Sequence, residues 1–108
     1  QINKKMSTTF ETAYIAPYHK LNKIASFNSK NNYNTFINWV SGEFDLYLQD
    51  NSKGLNVYFP EGKFHIENEY VDGSVIANIT LESTILEKGF VIFNKIMSVY
   101  SLISKNNA

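Results

Sequence analysis

The chain has 108 residues and a formal net charge of zero, ten Lys balancing ten Asp and Glu with no Arg anywhere. A single domain of this length buries roughly 60–70% of its unfolded surface. With 44% apolar and 15% aromatic residues it can fill a core without metal or disulfide. Wholesale disorder and a multidomain assembly are excluded on those grounds, and no cofactor is expected.

The absence of Arg bears on partners. Arg supplies the planar fork that grips phosphate and guanine in two places at once, whereas Lys offers a point charge. A neutral chain of scattered lysines lacks the basic footprint that nucleic acid requires. Asn occurs fourteen times and Ile eleven, so Asn31, Asn32, Asn34, Asn106 and Asn107 read as solvated filler. Cys is absent, which removes thiol catalysis, disulfide scaffolds and zinc-ribbon sites together. No apolar run approaches the roughly 18–20 residues of a bilayer span. Because the chain opens on Gln1, either Met6 is the native start or, as the favoured expectation, residues 1–108 are one α+β domain excised from a longer protein. A membrane anchor outside this stretch and an extracytoplasmic location fit that expectation.

The N-terminal segment reads as helix. Phe10, Ala13, Tyr14, Leu21 and Ile24 recur at helical spacing between Thr8 and Phe27, Thr8 and Glu11 suit a capping box, and Pro17 divides the segment. A polar loop follows from Asn28 to Asn34. A second, short helix fits Thr35 to Ser41, presenting Phe36, Trp39 and Val40 and stopping at Gly42.

Four strands with period-2 alternation occupy Glu43 to Glu82. The first carries Phe44, Leu46 and Leu48, the second Leu55, Val57 and Phe59. The third carries Phe64 and Ile66 and runs through Asn68 to Tyr70, and the fourth carries Val75, Ala77, Ile79 and Leu81. Asp72-Gly73 suits a tight hairpin in which both central residues take positive φ. Folding about it pairs Tyr70 with Val75, Asn68 with Ala77, Ile66 with Ile79 and Phe64 with Leu81. The turn at Glu61-Gly62 pairs Phe59 with Phe64 and Val57 with Ile66. The turn over Asp50–Lys53 pairs Leu48 with Leu55, Leu46 with Val57 and Phe44 with Phe59. All three place the same apolar residues on one face, which the helices must cover. From Ser83 to Ser104 both a helix and a short helix followed by a fifth strand fit. The recurrence of Leu86, Phe90, Phe93, Met97 and Tyr100 and a Thr84–Glu87 capping box favour helix, although Gly89 interrupts it.

The same registers lay Asp45, Tyr58, His65 and Thr80 in one row on the opposite face, with Tyr47, Asn56, Glu67 and Asn78 in the next. An Asp–Tyr–His row is the raw material of acid–base chemistry. Set against it is an ordinary polar sheet face, since no nucleophile elbow or phosphate loop accompanies the row. His65, Glu67 and Glu69 alternate along one strand about 6–7 Å apart, too far to share one ion, and Lys63 opposes a cation, so no metal is expected. Asn78-Ile79-Thr80 matches a glycosylation sequon inside a strand. Asn68 is the one polar residue on the apolar side. It either lies beyond the core's edge or marks a cavity lined by Phe64, Ile66, Asn68, Tyr70 and Ala77.

The stretch SGEFDLYLQDNSKGLNVYFPEGKFHIENEYVDGSVIANITL, residues 41–81, resembles the sheet of sterol-carrier-type lipid-binding domains. Its helix-then-meander order is similar also to cystatin-like and nuclear-transport-factor-like cones, including extracytoplasmic domains of conjugation and secretion machinery. The resemblance covers under half of the chain and rests on alternation and turns. It implies an α+β cone with helices on one face of a four- or five-stranded meander. The function expected first is protein–protein interaction or assembly, with a protein partner or self-association. The alternatives are an apolar small-molecule carrier and a small enzyme using His65, Asp45 and Tyr58.

Overall fold

A computed structural model describes residues 10–106 as an α+β fold of two layers: one six-stranded antiparallel sheet with two helices on a single face. The elements in chain order are β1 (Glu11–Ile15), β2 (Tyr18–Phe27), α1 (Lys30–Glu43), β3 (Leu48–Asp50), β4 (Leu55–Phe59), β5 (Gly62–Val71), β6 (Ser74–Ser83) and α2 (Leu86–Asn106). Across the sheet the order is β1-β2-β6-β5-β4-β3.

The β5–β6 hairpin has the expected register, with Ile66 opposite Ile79, Phe64 opposite Leu81 and Tyr70 opposite Val75. Asp72 and Gly73 turn it with φ of 50° and 82°, the conformation that an Asp-Gly pair adopts at least cost. The β4–β5 turn lies at Pro60-Glu61, one residue earlier than expected. Phe59 pairs with Gly62 and Val57 with Phe64, a shift of two residues that keeps every side chain on its face.

Three expectations are corrected. The segment up to Phe27 is a strand pair, not helix: β1 and β2 turn at the Ala16-Pro17 cis peptide, and β2 lies along β6 from Phe27↔Val75 to His19↔Ser83. Leu21, Ala25 and Phe27 alternate into the core, and the backbone of β6 finds its second partner in β2. Thr8, half of the expected capping box, lies outside the described residues. The sheet therefore has six strands rather than four or five.

Second, α1 begins at Lys30, within the stretch read as loop. Ser29 caps it, its hydroxyl accepting from the Asn32 amide at 3.1 Å. Its buried row is Tyr33, Phe36 and Val40, completed by Phe44 one residue past the helix. Third, Phe44 to Leu48 is accordingly not a strand. Phe44 belongs to the helical row, its ring 5.1 Å from that of Phe64, while Leu46 is 94% exposed and β3 starts only at Leu48. Gln49 ties this junction together: its amide donates to the carbonyls of Ser41 and Phe44 and accepts from the Ser41 hydroxyl. The freed carbonyls at the end of α1 thus find donors.

The C-terminal segment is helix. In α2, Ile92, Phe93, Ile96, Val99 and Ile103 are buried over the sheet. Gly89 is explained by close approach, since a Cβ there would crowd Leu81 Cδ2 at 3.1 Å and Ser83 Cβ at 3.3 Å. The hydroxyl of Thr84 donates to the Glu61 carbonyl at 3.3 Å. Tyr100 bridges the layers, donating to the Ser26 carbonyl at 2.9 Å with its ring edge-on to Phe27. Each large side chain so buried contributes about 1.5–3 kcal/mol. Both helices cover the same side, and among the described residues nothing covers the other side of the sheet.

Candidate functional site

The open face collects the outward residues of the strands, and the registers fix its rows. One row runs Lys20, Glu82, Lys63, Tyr58, Leu48 across β2, β6, β5, β4 and β3. The next runs Asn22, Thr80, His65, Asn56, Asp50, with Glu11 of β1 beside Asn22. Ile24, Asn78 and Glu67 form a third.

Hydrogen bonds lock the second row. Asp50 Oδ1 accepts from the Ser52 amide at 3.3 Å, the Ser52 hydroxyl at 3.0 Å and Asn56 Nδ2 at 2.9 Å, while Tyr58 donates to Asp50 Oδ2 at 3.1 Å. The backbone bond from Ser52, and then the side-chain bonds from Asn56, Ser52 and Tyr58, hold the Asp50 carboxyl below its usual range. The bond to Asp50 raises the Tyr58 phenol above its usual value, so Tyr58 stays protonated as a donor.

Asn56 relays this arrangement to His65. Its nitrogen faces Asp50, so its oxygen, 2.6 Å from His65 Nδ1, must accept. His65 in its neutral form therefore carries its proton on Nδ1 and leaves Nε2 as the basic nitrogen, 3.4 Å from Glu67 Oε1. On the far side Asn22 donates to Asn78 Oδ1 at 2.8 Å and Thr80 Oγ1 at 2.9 Å. Lys20 pairs with Glu82 at 3.5 Å.

Of the residues read from the sequence, His65 and Tyr58 lie on the open face, and His65 faces Thr80 as expected. Tyr58 sits in the neighbouring row, opposite Lys63. Asp45 is not with them: it lies in the turn after α1, beside a hollow of about 340 Å³ that Lys88 and Lys95 also line. Asp50 takes the acidic place in the row. Its signal in the sequence was the Asp50-x-Ser52 spacing, in which a carboxylate accepts from the amide two residues on. Asn56, expected one row away, is the link to His65.

Phe64, Ile66 and Ala77 are fully buried, whereas Asn68 and Tyr70 are exposed toward the tip of the β5–β6 hairpin. Two surface hollows on and beside the open face are lined by other residues. One of about 390 Å³ lies over Asn56, Lys63, His65 and Glu67 on the open face. Another of about 580 Å³ lies at the sheet end beside the β4–β5 turn. Among the described residues no cluster of three or more His, Asp or Glu could hold a metal, and no helix is long and apolar enough to cross a membrane.

No known protein-family model matches the chain, and a search of curated proteins finds no match to it.

Proposed function

We propose that this chain is a non-enzymatic protein-docking module, and that its open sheet face receives a partner with a basic surface. The observation that carries this reading is a charge imbalance confined to one side. Among the described residues the open face presents Lys20 and Lys63 against Glu11, Asp50, Glu67, Glu69 and Glu82, in a chain neutral as a whole. A second copy would bring the same surplus of carboxylates, which disfavours self-association and favours a lysine- or arginine-bearing partner.

Size supports the reading as well. The protein is a slab with extents of 39 × 38 × 21 Å. Its broad side exceeds the roughly 800 Å² that each partner contributes to a standard interface. Tyr18 and Tyr58, each 37% exposed on this face, are of the type enriched at interface centres. Helices on one side only are also the layering of the cystatin-like and nuclear-transport-factor-like cones. The N-terminal strand pair speaks against the finer likeness, which placed helix there.

The test is site-directed photocrosslinking in the source cell. A crosslinking residue at Ile24 or Asn78 should trap one and the same partner, and one at Asn94 or Ser98 on α2 should not. Joint Glu67→Lys and Glu69→Lys substitution should abolish capture, and rising salt should weaken it. Trapping from α2 instead, indifference to charge reversal, or a dimer by light scattering would overturn the reading.

A further inference from the structure

At the end of the open face, where it meets the β4–β5 turn, we propose that the hollow is a binding site for a neutral saccharide. Its volume of about 580 Å³ falls in the range typical of small-ligand sites, about 300–1,000 Å³. Tyr18 and Tyr58 stand among its walls, and Glu61, Lys63, Glu82 and Thr84 supply its polar lining. Tyr58 is held by its bond to Asp50, so its ring is a fixed platform rather than a free rotor.

Glu61 sets the chemistry. Its Oε1 is buried and has no hydrogen-bond partner among the described residues. The nearby Thr84 hydroxyl is engaged with the Glu61 main-chain carbonyl at 3.3 Å, not with the carboxylate. A buried acceptor without a donor is costly, and that cost falls when the carboxylate turns from its closed position toward the hollow and accepts from an occupant's hydroxyl. Charge then narrows the class. Lys20 neutralises Glu82 at 3.5 Å, and Lys63 stands against Glu61 in the same lining. The two signs balance, so neither an anion nor a polycation is favoured. A lipid tail would leave the carboxylate and ammonium groups unpaired. A sugar ring answers each requirement: hydroxyls that donate to Glu61 and accept from Lys63, and a C–H face to lie on a tyrosine ring.

The isolated chain is tested by saturation-transfer NMR with glucose, galactose, mannose and N-acetylglucosamine and their disaccharides, with spermidine and inorganic phosphate as charged probes. At least one saccharide should receive transfer at its ring C–H protons and shift the amides of Lys63 and Thr84. Tyr18→Ala and Tyr58→Ala should each weaken binding about three- to tenfold. Tyr58→Phe, which keeps the ring but frees it from Asp50, should fall between the unsubstituted protein and Tyr58→Ala, and Trp39→Ala on α1 should change nothing. Glu61→Gln, which retains the fold while exchanging the acceptor pair for an amide, should weaken binding too. No transfer to any saccharide from folded protein, or preference for spermidine or phosphate, would overturn the proposal. Because the crosslinking above is read separately, either proposal can fail while the other stands.

Discussion

Asn56 and His65 face one another across β4 and β5, the amide oxygen 2.6 Å from Nδ1. Since the Asn56 nitrogen is committed to Asp50, the ring proton is placed by a carboxylate two residues away in the row. In the neutral state His65 should accordingly show the Nδ1–H tautomer by long-range ¹⁵N–¹H correlation. Asn56→Ala should release the ring to the Nε2–H form common in free imidazoles, at a cost of about 1 kcal/mol in stability. An Nε2–H signal in the unsubstituted protein would contradict the relay.

Tyr33 lies on the buried face of α1, and burial first, then the charges of Tyr70 and Glu67, push its phenol up to about 12. A group whose value rises on folding stabilises the fold fully below its unfolded value, about 10, and ceases to do so as pH climbs through the folded one. Thermal stability should therefore fall between about pH 10 and 12, and Tyr33→Phe should flatten that decline. Melting curves on both proteins across the alkaline range provide the check.

Phe64 is fully buried, with its ring edge toward Phe44 and its backbone opposite Leu81. Phe64→Ala should cost about 3–5 kcal/mol by denaturant unfolding, whereas Ile79→Val, which removes one methylene, should cost about 0.5–1.5. Equal losses would mean that this layer is not close-packed.

Two glycines should respond in opposite directions. At Gly62 a Cβ would collide with the Glu82 carbonyl, which cannot move without breaking the β5–β6 ladder. Gly62→Ala should therefore destabilise strongly or prevent folding. At Gly42, inside α1, a Cβ meets nothing within 4 Å. Gly42→Ala should leave the fold intact and add about 0.5–1 kcal/mol through helix propensity. Paired melting curves measure both.

Part of the open face was readable in advance. Alternation around Asp72-Gly73 put His65 and Thr80 opposite one another on the polar side, since a short hairpin loop leaves little freedom of register. Asp45 lies off this face, and local spacing is ambiguous there. The spacing of Phe44, Leu46 and Leu48 imitates a strand, yet Phe44 closes the helical row Tyr33, Phe36, Val40, and that role is decided by what lies beneath it. In the sequence Asp50 is a turn residue, and its convergence with Asn56 and Tyr58 follows only from β3 pairing with β4.

By itself the chain determined β4 to β6 and the side on which their apolar residues lie, and it favoured a C-terminal helix without excluding a fifth strand. These depend on contacts between sequence neighbours, where turn chemistry and periodicity act directly. Only the tertiary structure decided the fate of the first third. Phe10, Tyr14, Leu21 and Ile24 satisfy a helical spacing, but Leu21 and Ala25 also alternate as a strand. Pairing Leu21 with Leu81, sixty residues onward, gave β6 a second hydrogen-bonded neighbour and closed the core beneath α2. A partner so distant in the chain leaves no local mark, because its energy arises only once the rest of the sheet is in place.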